Sequence, residues 1–432
     1  MELVRKLRAR EEAGNPISVG IIGCGQMGSG LAHAINNVHG MRISAIADID
    51  TKRAVEALVS LGCDRCDIVE ANTKDVAEDA LRFSKRVVTQ DALLMTRLDG
   101  LEANVEATGV TDIGAQVAYQ SIMHHKPIIM LNVETDITVG WYLNTLARAH
   151  HSLYTVASGD EPGVCKMLYE QALLMGFKVV TLGKGKNNKI NFHATADMVR
   201  EEALGKGMNP KMLAAFQDGT KTMVEMAAVS NATGLIPDIP GMHGPKVEID
   251  QLSSVFIPKK DGGIFEKAGR VDFSTGAIAP GVFAIVYTED KRMQKEMKFI
   301  TRADGPYYLH FRPYHLCDLE TPQSIAEAVL LNEVTVTAEA MHSEVVCKAK
   351  RTIQAGEVLG DIGGNDWYGQ LMTYEQARAV RAVPIGIGSK SVAKRTIEEG
   401  SIITEDDVLL NDTTFIYRLR RMQDALYKGG KS

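Results

Sequence analysis

A glycine-rich turn between a predicted strand and a predicted helix constrains this chain most. The apolar, β-branched run Ile17–Ile22 predicts a buried strand, and Gly23-Cys24-Gly25-Gln26-Met27-Gly28 follows it directly. The segment after Gly28 has apolar residues at helical spacing. In such a turn Gly23 makes the tight bend, Gly25 lets the backbone approach a pyrophosphate, and Gly28 lets helix and strand pack closely. Gln26 and Met27 open the helix, whose free N–H groups attract an anion.

A second strand-like run supports a dinucleotide site at this turn. Residues 42–47 end in Asp48, twenty residues beyond Gly28, where a carboxylate meets the ribose hydroxyls of a bound dinucleotide. The alternative is that these are turn glycines of an ordinary α/β domain. The combined spacing favours the dinucleotide interpretation.

Size and charge limit the classes of protein to consider. A chain of 432 residues exceeds the size of a single core, so two or three domains are expected. The net charge of -6 gives no basic field for nucleic acid. We find no signal peptide and no apolar run long enough for a membrane span, so we expect a cytoplasmic protein. The six scattered cysteines predict reduced thiols, and Cys63 and Cys66 are better explained as two surface thiols than as a metal or redox pair.

Strand-like runs alternate with helical segments as far as residue 157, which predicts a doubly wound parallel sheet. Ligands of such sheets lie at the carboxyl ends of the strands. The predicted strands include 104–108, 127–133 and 153–157, and polar residues follow or end each of them. We expect cofactor contacts from Thr108, Gly109, Asn132 and Glu134, and substrate contacts from Asp160 and Glu161. Each acid could instead be a helix cap or a first-turn carboxylate.

A basic, glycine-rich stretch follows the predicted strand 177–183. Lys184, Lys186 and Asn188 lie within it, and this mixture of cations and amides suits an anionic substrate such as a sugar phosphate. A solvated basic loop is the alternative.

A nearly all-apolar helix begins near residue 218. Lys221 and Glu225 share one face of it, so these charges are expected inside, facing a pocket, rather than in a surface salt bridge. Asn231 and His243 continue this pocket-like stretch. For His243 a structural and a catalytic role are both open.

The chain ends in a small repeated module. The pattern of two basic residues, Thr, Ile, two variable residues and Gly occurs at 350–356 and again at 394–400, which predicts one β-rich module. The tail 416–426 predicts a helix that is solvated or contacts another subunit.

Several stretches along the chain are distinctive when taken together: RAREEAGNPI (8–17), GCGQMG (23–28), NVE (132–134), GDEP (159–162), GKGKNN (183–188), KTMVEMAA (221–228), NATGL (231–235) and GMHGP (241–245). In these stretches the chain resembles the DXR-like (DRL) family of NADPH-dependent oxidoreductases. The resemblance implies a fold related to homoserine dehydrogenase and a C-terminal SAF-type module. It also implies conversion of 1-deoxy-D-xylulose 5-phosphate into 2-C-methyl-D-erythritol 4-phosphate in isoprenoid biosynthesis.

One departure concerns the cofactor. Families that use NADP place Arg, Lys or Ser after the second strand, whereas this chain has Asp48 and Asp50, which would repel a 2′-phosphate. Lys52 and Arg53 offset this in part, so we expect NAD(P) without choosing between the two forms.

We therefore predict an α/β protein with three parts. They are a doubly wound Rossmann domain at 1–160, an α+β substrate and dimerisation domain at 161–335, and a β-rich SAF-like module with a helical tail at 336–432.

The expected reaction is NAD(P)H-dependent reductoisomerisation of a phosphorylated ketose by a homodimer or higher homo-oligomer. Lys184, Lys186 and Asn188 would hold or polarise the substrate, and Lys221 would donate to the developing alkoxide. The acid/base groups, or the ligands of a divalent cation (Mg or Mn), would be Asp160, Glu161 and Glu225. The alternatives are a homoserine dehydrogenase-like enzyme acting on a small or sugar-derived aldehyde, and a NAD-sensing or carbohydrate-binding regulator.

Overall fold

The structure is a computed structural model that describes residues 2–187 and 189–427. Asn188 lies outside the described residues. The strands of this described part are β1 (Ile17–Ile22), β2 (Met41–Ala47), β3 (Ile68–Glu70), β4 (Arg86–Thr89), β5 (Ala103–Glu106), β6 (Ile128–Met130), β7 (Tyr154–Val156), β8 (Lys178–Gly185), β9 (Arg270–Ser274), β10 (Val282–Tyr287), β11 (Tyr307–Arg312), β12 (Ser343–Ala349), β13 (Trp367–Thr373), β14 (Val392–Ala393) and β15 (Val408–Leu409).

The α-helices of the same residues are α1 (Glu2–Glu12), α2 (Gln26–Asn36), α3 (Thr51–Ser60), α4 (Lys74–Arg82), α5 (Ala92–Arg97), α6 (Thr111–Met123), α7 (Val133–Ala149), α8 (Glu161–Leu174), α9 (Arg200–Gly205), α10 (Pro210–Gln217), α11 (Thr220–Thr233), α12 (Leu252–Val255), α13 (Lys291–Thr301), α14 (Cys317–Leu331), α15 (Tyr374–Ala379), α16 (Ile385–Gly388) and α17 (Phe415–Leu426). Among the described residues, no helix combines the length and the apolar character needed to cross a bilayer.

The chain divides into two compact units. Unit 1 contains residues 2–160, 316–337 and 414–427, and unit 2 contains residues 161–315 and 338–413. This division differs from the three consecutive domains expected above, because 316–337 and 414–427 pack with the first 160 residues. The three-domain boundaries stay a prediction.

Unit 1 is built on a seven-stranded sheet in the order β3-β4-β2-β1-β5-β6-β7. All of its strand pairs are parallel. The central strand β1 is almost wholly buried, as its apolar β-branched sequence requires. The predicted doubly wound parallel sheet is confirmed, and it brings the carboxyl ends of the strands to one edge.

Helix α7 begins earlier than the sequence pattern indicates. The run 127–133 predicts a strand, but β6 ends at Met130 and Asn132 caps α7 by accepting a hydrogen bond from Thr135 N at 3.2 Å. The β-branched residues of the first turns of α7 read as a strand in the sequence. Their burial in the unit outweighs this weak local preference.

The C-terminal helix α17 packs into unit 1 instead of lying in solvent. Arg420 is buried, bonds Asp424 at 2.9 Å, and lies beside Gln423, whose amide donates to the Thr138 carbonyl at 3.0 Å. The solvated interpretation of this tail is therefore wrong. The several arginines of this tail make its sequence pattern look solvent-exposed, and the pattern does not show that one face of the helix is buried.

Unit 2 contains a four-stranded mixed sheet in the order β11-β10-β8-β9. Strand β9 runs parallel to β8, and β10 is antiparallel to both β8 and β11. Helix α8 packs against β8 and β10, and α11 packs against α8. Strand β8 continues to Gly185, two residues past its predicted end, because Lys184 and Gly185 pair with β9. Lys184 is thus a strand residue, not a loop residue.

The two copies of the C-terminal repeat pair with each other. Ile353 and Ile397 exchange two backbone hydrogen bonds of 2.9 Å. Gly356 N donates to Ala393 O at 2.8 Å, and Gly400 N donates to Ala349 O at 2.9 Å, so contacts 44 residues apart are equivalent. Both glycines have positive φ, which favours glycine at the turn. The sequence repeat is a structural repeat with local twofold symmetry.

Candidate active site

The three glycines of the turn after β1 have different surroundings. Gly23 has φ of +95°, and a Cβ there would lie 2.8 Å from the backbone of Ala107. A Cβ on Gly28 would overlap the carbonyl oxygen of Gly23. Gly25, by contrast, would direct a Cβ into open space at the start of α2. Gly23 and Gly28 are required by the protein's own packing, whereas the space at Gly25 fits the pyrophosphate of a dinucleotide.

Asp48 lies beside this turn. One of its carboxylate oxygens accepts from Cys24 N at 2.6 Å, and the other accepts from Asp50 N at 2.8 Å. Burial, with a contribution from Asp48, raises the pKa of the Cys24 thiol to about 11, so this thiol is unreactive. Asp50 itself is exposed and caps α3. Of the two acids, Asp48 is therefore the one beside the glycine turn, and its contact with a ribose stays a prediction.

Strand β5 ends in a buried carboxyl group that we did not single out in the sequence. Glu106 accepts hydrogen bonds from Thr108 N at 2.9 Å and from the Thr108 hydroxyl. Burial raises the pKa of Glu106 to about 7. Gly109 follows with positive φ and open space at its Cβ position. The backbone of Thr108 borders the glycine turn, since its N atom lies 2.8 Å from the Cβ position of Gly23, and its hydroxyl is directed to Glu106. Contacts of Thr108 and Gly109 with a cofactor stay predictions.

The remaining predicted residues of unit 1 have local partners. Asn132 caps α7, and Glu134 is in the first turn of that helix. This is the capping alternative that the sequence left open. Asp160 is buried and accepts from the Cys317 thiol, with an S to O distance of 3.2 Å. Their contacts with a cofactor or substrate stay predictions.

The centre of the candidate site in unit 2 is the ammonium group of Lys184. It pairs with the carboxylates of Glu161 and Glu225, and all three side chains are at most 8% exposed. Lys184 is supplied by β8, Glu161 by the first turn of α8, and Glu225 by α11. Glu161 is therefore both a first-turn residue, stabilised by the helix dipole, and a partner of the buried lysine.

The charges of this cluster do not cancel. Burial alone would lower the pKa of Lys184, but Glu161 and Glu225 raise it above its ordinary value. The pKa of Glu225 is raised by burial and by the neighbouring Glu161, against the opposing effect of Lys184. One ammonium group between two carboxylates can thus take up a further proton on a glutamate. The cluster can hold and release a proton within a buried site.

Two further basic side chains border the cluster. Lys221 Nζ lies 3.9 Å from Glu225, and His315 Nε2 lies 3.4 Å from Glu161. Lys221 is only partly buried, and Glu225 is almost completely buried. The prediction that both share an inward face of α11 is confirmed. His315 was missed because nothing around it in the sequence marks it as a site residue.

Lys186 is buried, and no carboxylate among the described residues is in contact with its ammonium group. Its Nζ donates to the Phe216 carbonyl at 2.6 Å. Burial and the neighbouring Lys184 lower the pKa of Lys186 to about 8, opposed by Glu225 and Asp218. Lys184 and Lys186 therefore do not form the open basic loop considered above. Lys184 is neutralised by two acids, which leaves Lys186 as the better partner for an anion.

Asn231 is used by the fold. Its side-chain oxygen accepts from the backbone N–H groups of His342 at 2.8 Å and Ser343 at 2.9 Å. Asn231 thereby ties α11 to the start of β12. This geometry favours a positioning role over the predicted catalytic one.

His243 lies in a separate network. Its Nε2 is 3.1 Å from Asp238, which also accepts from Arg270 at 2.8 Å. Its backbone N–H donates to Asp272, a buried acid whose pKa burial raises to about 6. In the part of the chain that is described, no contact joins His243 to Lys184. The geometry favours the structural alternative for His243.

Glu161 and Glu225 belong to a group of acids whose carboxylate oxygens lie within 4.8 Å of one another, close enough for one cation. The Lys184 ammonium group lies between these two carboxylates, so a divalent cation bound by both would have to displace it. A divalent cation at these acids stays a prediction.

Comparison with known families agrees with the predicted enzyme class. Residues 159–321 match the model of "Oxidoreductase DRL, catalytic domain". This stretch is less than half of the chain and includes Glu161, Lys184, Lys186 and Glu225. With the dinucleotide turn of unit 1, the match confirms that the protein is an NAD(P)-dependent oxidoreductase. No curated protein matches the chain.

Solved structures show more distant likeness. A probable dehydrogenase from Thermotoga maritima is 12% identical, over 74% of this chain and 90% of that chain, with a TM-score of 0.43. Apo scyllo-inositol dehydrogenase from Lactobacillus casei is 14% identical, over 75% and 91%, with a TM-score of 0.42. An oxidoreductase from Agrobacterium radiobacter in complex with NAD+, L-tartaric acid and magnesium is 16% identical, over 40% and 45%, with a TM-score of 0.29. At these values nothing about substrate follows.

Proposed function

We propose that this protein is an NAD(P)H-dependent reductoisomerase of a phosphorylated ketose. The family resemblance suggests 1-deoxy-D-xylulose 5-phosphate as the substrate and 2-C-methyl-D-erythritol 4-phosphate as the product. The observation that carries the proposal is the Lys184 ammonium group, buried between Glu161 and Glu225. Such a cluster is costly to bury unless its charges have a chemical use.

The rearrangement requires one group that takes a proton from the substrate and one that returns it. Glu225 suits this exchange because its raised pKa brings its two protonation states closer in energy near neutral pH. Lys184 stays charged and donates hydrogen bonds to oxygen atoms that gain negative charge. Lys221, next to Glu225, supplies a second cation to the same oxygen atoms.

The reductive step follows on the newly formed aldehyde. NAD(P)H, when bound, would supply the hydride that reduces the carbonyl carbon of this aldehyde. A proton from the glutamate cluster then neutralises the alkoxide oxygen that receives the C–O π electrons. Lys186 binds the phosphate of the substrate, because it is a buried lysine that no carboxylate contacts in the described part of the chain. Charge pairing with a dianion then compensates for the burial of this lysine.

A simple dehydrogenase of a small or sugar-derived aldehyde is the second candidate. The occupied position between Glu161 and Glu225 favours it, since hydrogen bonds from Lys184 and a proton from a glutamate suffice for reduction and require no metal. Such an enzyme would reduce aldehydes without rearranging a ketose.

Turnover separates the two candidates. NAD(P)H oxidation should be measured with a panel of phosphorylated ketoses and aldehydes, with and without Mg²⁺, and the products identified by NMR. We expect a branched polyol phosphate from a phosphorylated ketose. If the protein reduces aldehydes but does not rearrange a phosphorylated ketose, the reductoisomerase proposal is rejected in favour of the dehydrogenase.

A matched pair of variants tests the site itself. Lys184→Ala should lower kcat/KM by about 30- to 1,000-fold, because it removes a charge-assisted bond in the transition state. Lys189→Ala, an exposed lysine that follows the same strand, is the control and should behave like the wild type. The NAD(P)H dissociation constant should not change in either variant, because the glycine turn belongs to unit 1. Wild-type turnover by Lys184→Ala would contradict the assignment.

A further inference from the structure

A third buried lysine of unit 2 comes from the C-terminal module. Lys350 directly follows β12, and its side chain is 2% exposed. Its ammonium group lies 2.7 Å from Asp218, which is completely buried, and donates to the carbonyls of Ala194 at 2.6 Å and Gly364 at 2.9 Å. The module thus reaches into the part of unit 2 that contains the candidate active site.

The internal repeat provides a comparison for Lys350. Lys394 occupies the equivalent position of the second copy, 44 residues later, but it is exposed and donates to Glu405 O at 2.8 Å. The two lysines share a local backbone setting and differ in surroundings. The buried ion pair is therefore particular to the first copy and is not required by the repeat as such.

Asp218 lies in the turn that connects α10 to α11. Two residues earlier, the Phe216 carbonyl accepts the hydrogen bond of Lys186. Two residues later, Thr220 N donates to Asp218 at 2.8 Å, where α11 begins. Lys221 and Glu225 follow on that helix. One short turn thus supports Lys186 on one side and the helix of Glu225 on the other.

We propose that Lys350 is a positioning residue for the candidate active site: by pairing with Asp218 it fixes this turn and keeps the Asp218 carboxylate from pairing with Lys186. The inference rests on the proposed function, in which Lys186 binds the anionic group of the substrate. It gives the C-terminal module a role in substrate binding that neither the repeat nor the family match assigns.

The charges around Lys186 determine what removal of Lys350 should do. Lys184, Glu225 and Asp218 are the charged groups that act on Lys186. Without Lys350 the buried Asp218 carboxylate is unpaired, which is strongly unfavourable. It would then stabilise the charged form of Lys186 and compete with the substrate for it.

The test measures Lys186 directly, without any substrate. The protein is labelled with acetic anhydride over a range of pH, and the labelled fraction of Lys186 is obtained by peptide mass spectrometry. In Lys350→Met the pKa of Lys186 should rise by about one unit, because an unpaired carboxylate is nearby. In Asp218→Asn it should fall, because a neighbouring negative charge is removed. Lys394→Met is the matched control and should leave it unchanged.

A merely structural ion pair predicts a different result. Lys350→Met and Asp218→Asn would then lower the thermal midpoint to similar extents and leave the pKa of Lys186 equal to that of the wild type, which would overturn the proposal. If Lys350→Met does not fold, Asp218→Asn alone is the test: a lowered pKa of Lys186 supports the proposal, and an unchanged pKa contradicts it. The two proposals can also fail separately. If the enzyme turns over no phosphorylated substrate, but the pKa of Lys186 rises in Lys350→Met and falls in Asp218→Asn, the proposed function is refuted and the positioning role of Lys350 is supported.

Discussion

We predict that Asp48 controls how strongly the nucleotide site distinguishes NADH from NADPH. Its carboxylate is fixed beside the glycine turn by two backbone N–H groups, where it can accept from ribose hydroxyls and repel a 2′-phosphate. We predict that NADH binds at least as tightly as NADPH and that Asp48→Ser shifts the preference towards NADPH.

Fluorescence titration of the two cofactors checks this prediction. Asp50→Ser is the matched control, because Asp50 is exposed and caps α3, so it should change the preference much less. A wild-type preference of a hundredfold for NADPH would show that Lys52 and Arg53 outweigh Asp48.

At the residue scale the sequence located the charged groups of the site but not their pairing. Lys184, Glu161 and Glu225 were all predicted site residues, yet Lys184 was expected to bind an anionic substrate. Its two partners are 23 and 41 residues away in the chain. Only the packing of α8 on β8 and of α11 on α8 shows that carboxylates neutralise Lys184, and no local pattern contains that information.

At the scale of elements, the hydrophobic periodicity of the sequence predicted the helices and strands that have a buried face. Strand β1 was predicted at its observed bounds, and α2 and the inward face of α11 were also anticipated. The pattern failed where packing overrides local preference, at the start of α7 and along α17. In both helices the deciding contacts are made with other elements, such as Gln423 with Thr138.

A buried bond between two elements of unit 1 gives a pH-dependent stability. Asp136 of α7 accepts from the Tyr154 hydroxyl of β7 at 2.9 Å, and burial raises the pKa of Asp136 to about 7. The folded state therefore binds this proton more tightly than the unfolded state, whose pKa is near 3.8. The free energy of unfolding should fall as pH rises from about 4 through about 7.

We predict that Asp136→Asn reduces this fall by on the order of 2 kcal/mol, since asparagine keeps an acceptor for Tyr154 and has no proton to lose. Urea denaturation at pH 5 and pH 8 measures it. A smaller slope remains because Glu106 titrates in the same range. Asp79→Asn, a change of an exposed acid on α4, should leave the slope of the wild type unaltered. Equal slopes in all three proteins would contradict the assignment to Asp136.

At the scale of the whole molecule the sequence predicted the sheet of unit 1 and the presence of a repeated module. It did not predict that 316–337 and 414–427 return to unit 1, because a chain that leaves a domain and comes back gives no compositional signal at the crossing points. The family resemblance predicted the order of the domains along the chain. It did not predict which segments pack together into one hydrophobic core.

The remaining prediction at this scale is a homodimer formed through unit 2. Leu173, Leu174 and Met175 are consecutive exposed apolar residues at the end of α8, and Leu174 is 88% exposed. Strand β11 is an outer strand of the four-stranded sheet of unit 2, and one of its edges has no strand partner among the described residues. Exposed apolar side chains grouped in this way favour burial against a second copy by twofold pairing.

Light scattering at micromolar concentration should therefore give twice the chain mass of 47.1 kDa. Leu174→Glu should shift the protein towards the monomer, because the introduced carboxylate would have to be buried in the interface. Phe83→Glu is the matched control, since Phe83 is an apolar residue of unit 1 that is 75% exposed. This control should remain a dimer. A monomeric wild type would contradict the homodimer. Equal dissociation of both variants would contradict the location of its interface at Leu174.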